Sequence, residues 1–156
     1  MYTPKEYDIV LSKLRLFFSI GKNYIEVDGQ KDLSILSACE NPHSLVKFNF
    51  AGSTYSQPQT SQMRLEHYLL NNPEWKGCYS ITTSYRDEKE EDMIEGRHLR
   101  AFTMFEVESH GTFKNLLKTL TELLTFLGFE KPTHLDYQTI ANMFQSPTVE
   151  ADHEMV

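Results

Sequence analysis

The residues most able to do chemistry lie on two neighbouring stretches in the middle of the chain. Each stretch alternates in the manner of a β-strand, so side chains two residues apart share a face. The two faces carry Ser84, Arg86 and Glu88, and then Phe102, Met104, Glu106 and Glu108. Arginine binds phosphate through paired hydrogen bonds, an aromatic ring stacks on a base, and two carboxylates two residues apart hold magnesium. If the two faces coincide, their combined surface suits a nucleotide.

A solvated surface is the alternative interpretation of the same pattern. Charged residues on one face of an antiparallel strand are commonly only exposed to water. By the same reasoning, the acidic stretch from Asp87 to Gly96 is an exposed loop between the two strands. Other catalytic patterns do not occur: the histidines lack zinc-ligand spacing, and the sequence has neither a Gly-rich phosphate loop nor Gly-x-Ser-x-Gly.

The elements that must position these residues mix helices and strands. Thr3-Pro4-Lys5-Glu6 is a capping box with proline at the first helical position, and it predicts a helix that ends at Gly21. The remaining pattern predicts helices over 61–71, 113–127 and 136–144, strands over 24–27, 45–50, 78–86 and 99–109, and a loop over 51–60. This order predicts an α+β fold, an antiparallel sheet flanked by helices, in a single domain over 1–156.

The composition of the chain argues against several classes of protein. The chain has 156 residues, 12% of them aromatic, which is typical of a globular protein and not of a disordered one. Its net charge of −7 argues against a stand-alone nucleic-acid binder, which needs a cationic surface. Two isolated cysteines, and no long apolar run at the start, predict a cytoplasmic protein without a membrane span.

A family resemblance supports the interpretation of these two strands as a nucleotide-binding site. Residues 84–88, with the sequence Ser-Tyr-Arg-Asp-Glu, are followed after a loop by Gly-Arg-His at 96–98 and by the strand that contains Phe102. This arrangement resembles motif 2 of class II aminoacyl-tRNA synthetases, and most closely the aspartate, asparagine and lysine subgroup. The helix at the start and the strand at 24–27 resemble motif 1, although Asp28-Gly29-Gln30 stands where the family has a proline.

The resemblance implies a role for each residue of the motif. It implies that Arg86 is catalytic and holds the α-phosphate of ATP and the carboxylate of the amino acid. It implies that Glu88 contacts the adenine and that Phe102 stacks on it. It further implies that Arg97 or His98 reaches the outer phosphates.

Further roles are implied on either side of the motif. Glu106 and Glu108 would face Mg2+ or, for Glu106, the substrate. Ser56-Gln57-Pro58-Gln59 resembles the family's Gln-Ser-Pro-Gln stretch, which lines the amino-acid pocket, and Gln62 stands where aspartate enzymes place a lysine. Gln57, Gln59 and Gln62 are therefore expected to bind the substrate of an aspartate/asparagine-type ligase, although Gln62 does not support aspartate specificity. The alternative is that Gln57 and Gln59 are loop residues with no bound partner.

Taken together, the resemblance implies ATP-dependent activation of a small amino acid as an aminoacyl adenylate. We expect no anticodon-binding module and no motif 3, so the chain is more similar to stand-alone asparagine-synthetase-like paralogues than to a full tRNA ligase. The acyl acceptor, ammonia or the acceptor end of tRNA, stays open, and so does a homodimer. Two alternatives remain: a non-catalytic nucleotide-binding, regulatory or dimerisation module, and a fragment completed by residues outside the sequence.

Overall fold

The computed structural model describes residues 3–29, 42–95, 98–130 and 132–144. The helices are α1 (Pro4–Arg15), α2 (Gln62–Asn71), α3 (Phe113–Leu127) and α4 (Tyr137–Phe144). The strands are β1 (Ile25–Glu26), β2 (Lys47–Phe50), β3 (Ser53–Ser56), β4 (Gly77–Tyr85) and β5 (Ala101–Ser109). None of the helices in the described ranges could span a membrane. The mixture of helices with sheets containing antiparallel strands confirms the predicted α+β class.

The first helix begins at the predicted capping box. The Thr3 hydroxyl accepts the backbone N–H of Glu6 at 3.3 Å, and the Glu6 carboxylate accepts the backbone N–H of Thr3 at 2.7 Å. Both contacts satisfy donors that the helix itself leaves without partners. The helix then continues as a wider π-helical segment over Leu16–Gly21, so the predicted end at Gly21 is the end of that segment.

The central sheet has three strands in the order β1-β4-β5. β4 and β5 form the predicted antiparallel ribbon, in which Gly77 lies opposite Ser109 and Tyr85 opposite Ala101. The short β1 adds to the other edge of β4 in parallel orientation. β4 is therefore the central strand, with a hydrogen-bonded strand on each edge. Other elements of the fold can pack only on its two faces.

One face of β4 packs on aromatic side chains. Tyr79 is 1% exposed and stacks on Phe105 with ring centroids 4.9 Å apart. Phe18, from the π-helical segment, stacks on Phe105 at 5.4 Å and also contacts Tyr79. Large aromatic surfaces removed from water stabilise this side of the sheet.

The opposite face of β4 is covered by α2. Leu65 and Leu69 of α2 form a buried cluster with Cys78, whose thiol lies 3.6 Å from the Leu65 carbonyl oxygen. The next residues along this face, Ser80, Thr82 and Ser84, are also buried although they are polar. Protein therefore covers this part of the face, while the partly buried Arg86 and Glu88 lie beyond it, and for these charged residues the solvated interpretation stays an alternative.

The predicted loop over 51–60 was wrong in part. Its first half forms β3, which pairs antiparallel with β2 so that Phe50 lies opposite Ser53. Ala51 and Gly52 between them both have positive φ, 50° and 78°. Two such residues match the twist of a two-residue hairpin, but Ala-Gly is not the usual signal for one.

The chain divides into two compact units, 1–112 and 113–156. The second unit contains α3 and α4 at the predicted positions. Asp136 caps α4, because its carboxylate accepts the backbone N–H and the hydroxyl of Thr139 at 3.0 and 2.8 Å. That a single domain includes both units stays a prediction.

Candidate functional site

Arg86 and Phe102 lie on the same face of the β4–β5 ribbon. The register places Ser84 directly opposite Phe102, so their side chains point to one side. Arg86 extends the ribbon by one pair, with its backbone N–H donating to the Arg100 carbonyl at 2.9 Å. Its side chain turns back along the same face, where Nε donates to the Ser84 hydroxyl at 3.2 Å. A guanidinium and a phenyl ring thus share one surface, as the sequence predicted.

The segment that contains Gln57 and Gln59 runs along the end of β4. The Tyr85 backbone N–H donates to the Pro58 carbonyl at 3.1 Å. Gln59 is fully buried, and its side-chain amide donates to the Ser44 hydroxyl at 2.9 Å. The backbone N–H of Asp87, next to Arg86, donates to the Ser44 carbonyl at 2.7 Å. These bonds hold the glutamine segment beside Arg86.

Gln57 and Gln62 are less enclosed than Gln59. The Gln57 side chain is partly buried, and its backbone N–H donates to the Val46 carbonyl at 2.8 Å. Gln62 is exposed on the first turn of α2, where its amide donates to the Glu66 carboxylate at 3.1 Å. The three glutamines therefore lie along one continuous segment, and their role in substrate binding stays a prediction.

Glu106 joins β5 to the start of α2. One carboxylate oxygen accepts the backbone N–H of Ser61 at 2.8 Å, and the other accepts the Thr60 hydroxyl. The Ser61 hydroxyl lies 2.5 Å from that of Thr82 on β4. Neither Thr60 nor Ser61 was singled out in the sequence, because their contacts depend on residues more than twenty positions away. The Glu106 contacts fix the position of α2 over the sheet.

Glu108 lies two residues further along the same face, beside Cys78. Burial raises the pKa of the Glu108 carboxyl, and the negative charges of Glu66 and Glu106 raise it further. Burial, and then the charge of Glu108, raise the pKa of the Cys78 thiol to about 11. The carboxylates of Glu66, Glu106 and Glu108 therefore lie near one another at this end of the face, where Glu108 is poorly hydrated.

These carboxylates fit a magnesium ion only together with a bound nucleotide. In the described parts of the chain, no group of three or more His, Cys, Asp or Glu side chains could hold a metal ion. Magnesium at nucleotide sites, however, uses one or two carboxylates and completes its shell with phosphate oxygens and water. Carboxylate oxygens are the right ligands, and a cation near Glu106 would offset the repulsion that acts on Glu108.

The loop between the two strands is fastened by Arg100. Its guanidinium donates to the Glu88 carbonyl at 2.7 Å and to the Glu90 carboxylate at 2.8 Å. His98 closes the far side of the loop, because its ring nitrogen Nδ1 accepts the backbone N–H of Ile94 at 3.2 Å. Glu88 is partly buried next to the ribbon, whereas Arg97 lies outside the described residues. Contacts of Glu88 and His98 with a nucleotide stay predictions.

Gly29, in the segment after β1, lies close against the sheet. A Cβ atom at this position would lie 2.5 Å from the Thr82 hydroxyl and 3.3 Å from that of Ser61. The backbone approaches the sheet more closely there than any other residue type allows. The preceding Asp28 pairs with Arg64 of α2 at 3.3 Å, so this segment is attached to the same helix that Glu106 positions.

Some of the predicted site residues lie near one another at the end of the ribbon where β4 ends and β5 begins. Arg86, Phe102 and the buried Gln59 segment meet there, while Glu106 lies four residues from Phe102, about 13 Å along the strand. Glu108 is about 20 Å from Phe102 by the same spacing. A nucleotide stacked on Phe102 is therefore nearer to Glu106 than to Glu108.

Comparison with known proteins supports the fold. The sequence matches no protein-family model and no curated protein. Several solved structures are similar. Asparaginyl-tRNA synthetase from Pyrococcus horikoshii, complexed with asparaginyl-adenylate, has a TM-score of 0.60 and 23% identity over 80% of this chain and 28% of that one.

Two other solved synthetase structures are also similar to this chain. Asparaginyl-tRNA synthetase from Entamoeba histolytica has a TM-score of 0.63 and 18% identity over 86% of this chain and 35% of that one. PylSc, a pyrrolysyl-tRNA synthetase from Desulfitobacterium hafniense, has a TM-score of 0.52 and 17% identity over 78% of this chain and 46% of that one. The chain thus has the fold of part of a class II synthetase core and spans less than half the length of these neighbours.

Proposed function

We propose that this chain binds ATP and an amino acid and activates the amino acid as an aminoacyl adenylate. The observation that carries the proposal is the shared face of Arg86 and Phe102 on the β4–β5 ribbon. A phenyl ring offers a stacking surface for adenine, and the guanidinium offers paired donors to the α-phosphate. Two similar solved structures, both asparaginyl-tRNA synthetases, are complexed with asparaginyl-adenylate, which agrees with this use of the fold.

The proposed reaction needs little covalent chemistry from the protein. An oxygen of the amino-acid carboxylate attacks the α-phosphorus of ATP, the bond to the bridging oxygen breaks, and pyrophosphate leaves. Arg86 holds both reacting groups and stabilises the charge that develops on the phosphate oxygens. Rate enhancement by such a site comes from positioning and charge stabilisation.

The amino-acid pocket is proposed along the glutamine segment beside Arg86. Gln57 and Gln62 offer neutral amides, and the buried Gln59 holds the segment in place through Ser44. A cation that would read a second carboxylate on the substrate does not stand at position 62. Position 62 therefore gives no support for aspartate specificity, and we propose a small amino acid of the aspartate/asparagine type as substrate, with ammonia or the acceptor end of tRNA as acyl acceptor.

Magnesium is the proposed cofactor, with Glu106 as the nearer protein ligand and Glu108 as the further one. The ion would neutralise phosphate charge when ATP is bound. Glu106 retains this capacity while it accepts bonds from Thr60 and Ser61, because a carboxylate has about four acceptor positions.

A non-catalytic nucleotide-binding, regulatory or dimerisation module is the second candidate. The chain covers 28–46% of the length of the similar synthetases, so the reaction of a whole synthetase stays a proposal for it. A site for ATP can persist on such a part of the fold without the residues that complete the reaction.

ATP–pyrophosphate exchange distinguishes the two candidates. The chain is incubated with MgATP, labelled pyrophosphate and each of the twenty amino acids in turn. We expect exchange with one small amino acid, and none without it. ATP binding measured by calorimetry without exchange for any amino acid would favour the non-catalytic module. Absence of ATP binding would overturn the adenylate-forming enzyme and the nucleotide-binding module, and would leave a regulatory or dimerisation module.

A further inference from the structure

We propose that Thr60 is a positioning residue for Glu106, and that it orients this carboxylate for a magnesium ion. The inference rests on the proposed function, in which Glu106 is the nearer ligand of the ion, and deepens it. The Thr60 hydroxyl donates to one oxygen of the Glu106 carboxylate and accepts the backbone N–H of Gln62 at 3.1 Å. One hydroxyl therefore joins a residue of β5 to the first residue of α2.

The partners of the Thr60 hydroxyl determine the direction of both hydrogen bonds. A hydroxyl has one hydrogen to donate and two lone pairs that accept. A backbone N–H can only donate, so Gln62 uses a lone pair of the Thr60 oxygen and leaves the hydroxyl hydrogen for Glu106. Thr60 is 4% exposed, so water has little access to compete for this hydrogen. The start of α2 therefore directs the Thr60 hydroxyl at Glu106.

The second oxygen of Glu106 has a donor of its own. It accepts the backbone N–H of Ser61 at 2.8 Å, so each carboxylate oxygen receives one hydrogen bond. Two donors on different oxygens hold both the position of the carboxylate and its rotation. Its remaining acceptor positions then have fixed directions, and these are the positions that a magnesium ion would use. Donors that orient a ligating carboxylate in this way tune the affinity of metal sites.

The chemistry of the Thr60 side chain suits a neighbour of a metal ligand. A lysine or arginine would also hold the carboxylate in place, but its positive charge would repel a magnesium ion. The hydroxyl is neutral, so Thr60 orients Glu106 without adding positive charge beside it. Replacement of this hydroxyl should therefore change the contribution of the ion more than the contribution of the nucleotide itself.

The first test observes the Thr60 hydroxyl without any ligand. In a nitrogen–proton correlation spectrum, we expect Thr60→Val to shift the backbone amide signal of Gln62 and to speed its exchange with water, because valine has no acceptor. Thr60→Ser should keep the signal protected. Thr54→Val is the matched control, since the Thr54 hydroxyl donates to Asn49 at 2.8 Å on the exposed β2–β3 hairpin. A Gln62 signal that is the same in Thr60→Val and in the unaltered chain would overturn the inference.

The second test separates the contribution of magnesium to ATP binding from the rest of the affinity. Calorimetry gives the Kd of ATP without and with magnesium, and the ratio of the two values measures what the ion contributes. We expect Thr60→Val to reduce this ratio about three- to tenfold, about the effect of one hydrogen bond, with little change in the Kd without magnesium. Thr60→Ser and Thr54→Val should keep the ratio of the unaltered chain.

A double variant shows whether Thr60 acts through Glu106. In the Glu106→Gln background, we expect Thr60→Val to leave the ratio unchanged, because the residue that Thr60 positions no longer has the charge that attracts the ion. A reduction that persists in this background would show general damage to the start of α2 and overturn the positioning role. Circular dichroism verifies that each variant is folded. If Thr60→Val does not fold, Thr60→Cys replaces it, since a thiol is a weak donor and should also reduce the ratio.

The outcomes separate this inference from the proposed function. An unaltered chain that binds ATP more tightly with magnesium, together with an unchanged ratio in Thr60→Val, would overturn the inference alone. An unaltered chain that binds ATP equally well with and without magnesium would overturn the metal role of Glu106 and this inference, but not the ATP site. An unaltered chain that does not bind ATP would overturn the proposed function, and the inference with it.

Discussion

Glu106 on β5 accepts the backbone N–H of Ser61 at 2.8 Å, immediately before the first turn of α2. A carboxylate in this position satisfies a donor that the helix cannot use and lies at the positive end of the helix dipole. The same residue is the nearer proposed ligand of magnesium. Glu106 therefore links the stability of the fold to the chemistry proposed for the site.

Glu106→Gln should lower the free energy of unfolding by about 1 kcal/mol, because a neutral amide oxygen accepts the Ser61 N–H less strongly than a carboxylate. Urea unfolding followed by circular dichroism measures the change. Glu91→Gln is the control, since the Glu91 side chain is exposed and pairs with the equally exposed Lys89 at 3.5 Å. A variant as stable as the unaltered chain would show that Glu106 does not support α2.

Arg86→Ala should abolish ATP binding in calorimetry, because the phosphate loses its paired donors. Arg15→Ala provides a matched control for the loss of one arginine. Arg15 lies on the other side of the sheet, where it binds Glu26 at 2.9 Å, and Glu26 in turn accepts the Tyr79 hydroxyl. Unchanged affinity in Arg86→Ala would remove this residue from the site.

Phe102→Ala should weaken ATP binding by about 1–3 kcal/mol, the range for one base stacked on an aromatic side chain. Phe102→Tyr keeps the ring and should retain most of the affinity. Calorimetry with MgATP compares the two variants. Equal affinities in the alanine and tyrosine variants would assign Phe102 to packing and not to adenine.

Glu108→Gln should raise the midpoint of thermal unfolding at pH 7. The pKa of Glu108 is raised in the fold, so its charge disfavours folding above that pKa, and the penalty disappears as pH falls below the ordinary glutamate range. The gain in stability should therefore vanish below about pH 4, where both forms are neutral. Melting curves at several pH values test this, and a gain independent of pH would contradict the electrostatic explanation.

Gly29→Ala should destabilise the fold by about 1–3 kcal/mol, since the new Cβ would overlap the buried Thr82 hydroxyl. Gly21→Ala is the control, because its nearest neighbour would be the Leu16 carbonyl at an ordinary 3.9 Å. Chemical unfolding of both variants compares them. A Gly29→Ala protein as stable as its control would mean that the segment after β1 moves away at little cost.

The sequence alone determined the elements that follow from local pattern. The capping box at Thr3, the leucine periodicity of α3 and the alternation over β4 and β5 each depend on neighbours a few residues apart, and each element formed where predicted. Parity along the strands also predicted that Arg86 and Phe102 share a face, given that the strands pair. The β2–β3 hairpin was missed because its turn, Ala51-Gly52, carries no strong local signal.

Only the tertiary structure decided which polar residues act together. The contacts of Glu106 with Ser61 and of Gln59 with Ser44 join residues 45 and 15 positions apart, and no local spacing encodes them. Burial of Ser84 depends on chain segments distant in sequence, and that burial turns a common serine into a fixed acceptor for Arg86. Periodicity can assign a side chain to a face, but what covers that face depends on long-range packing.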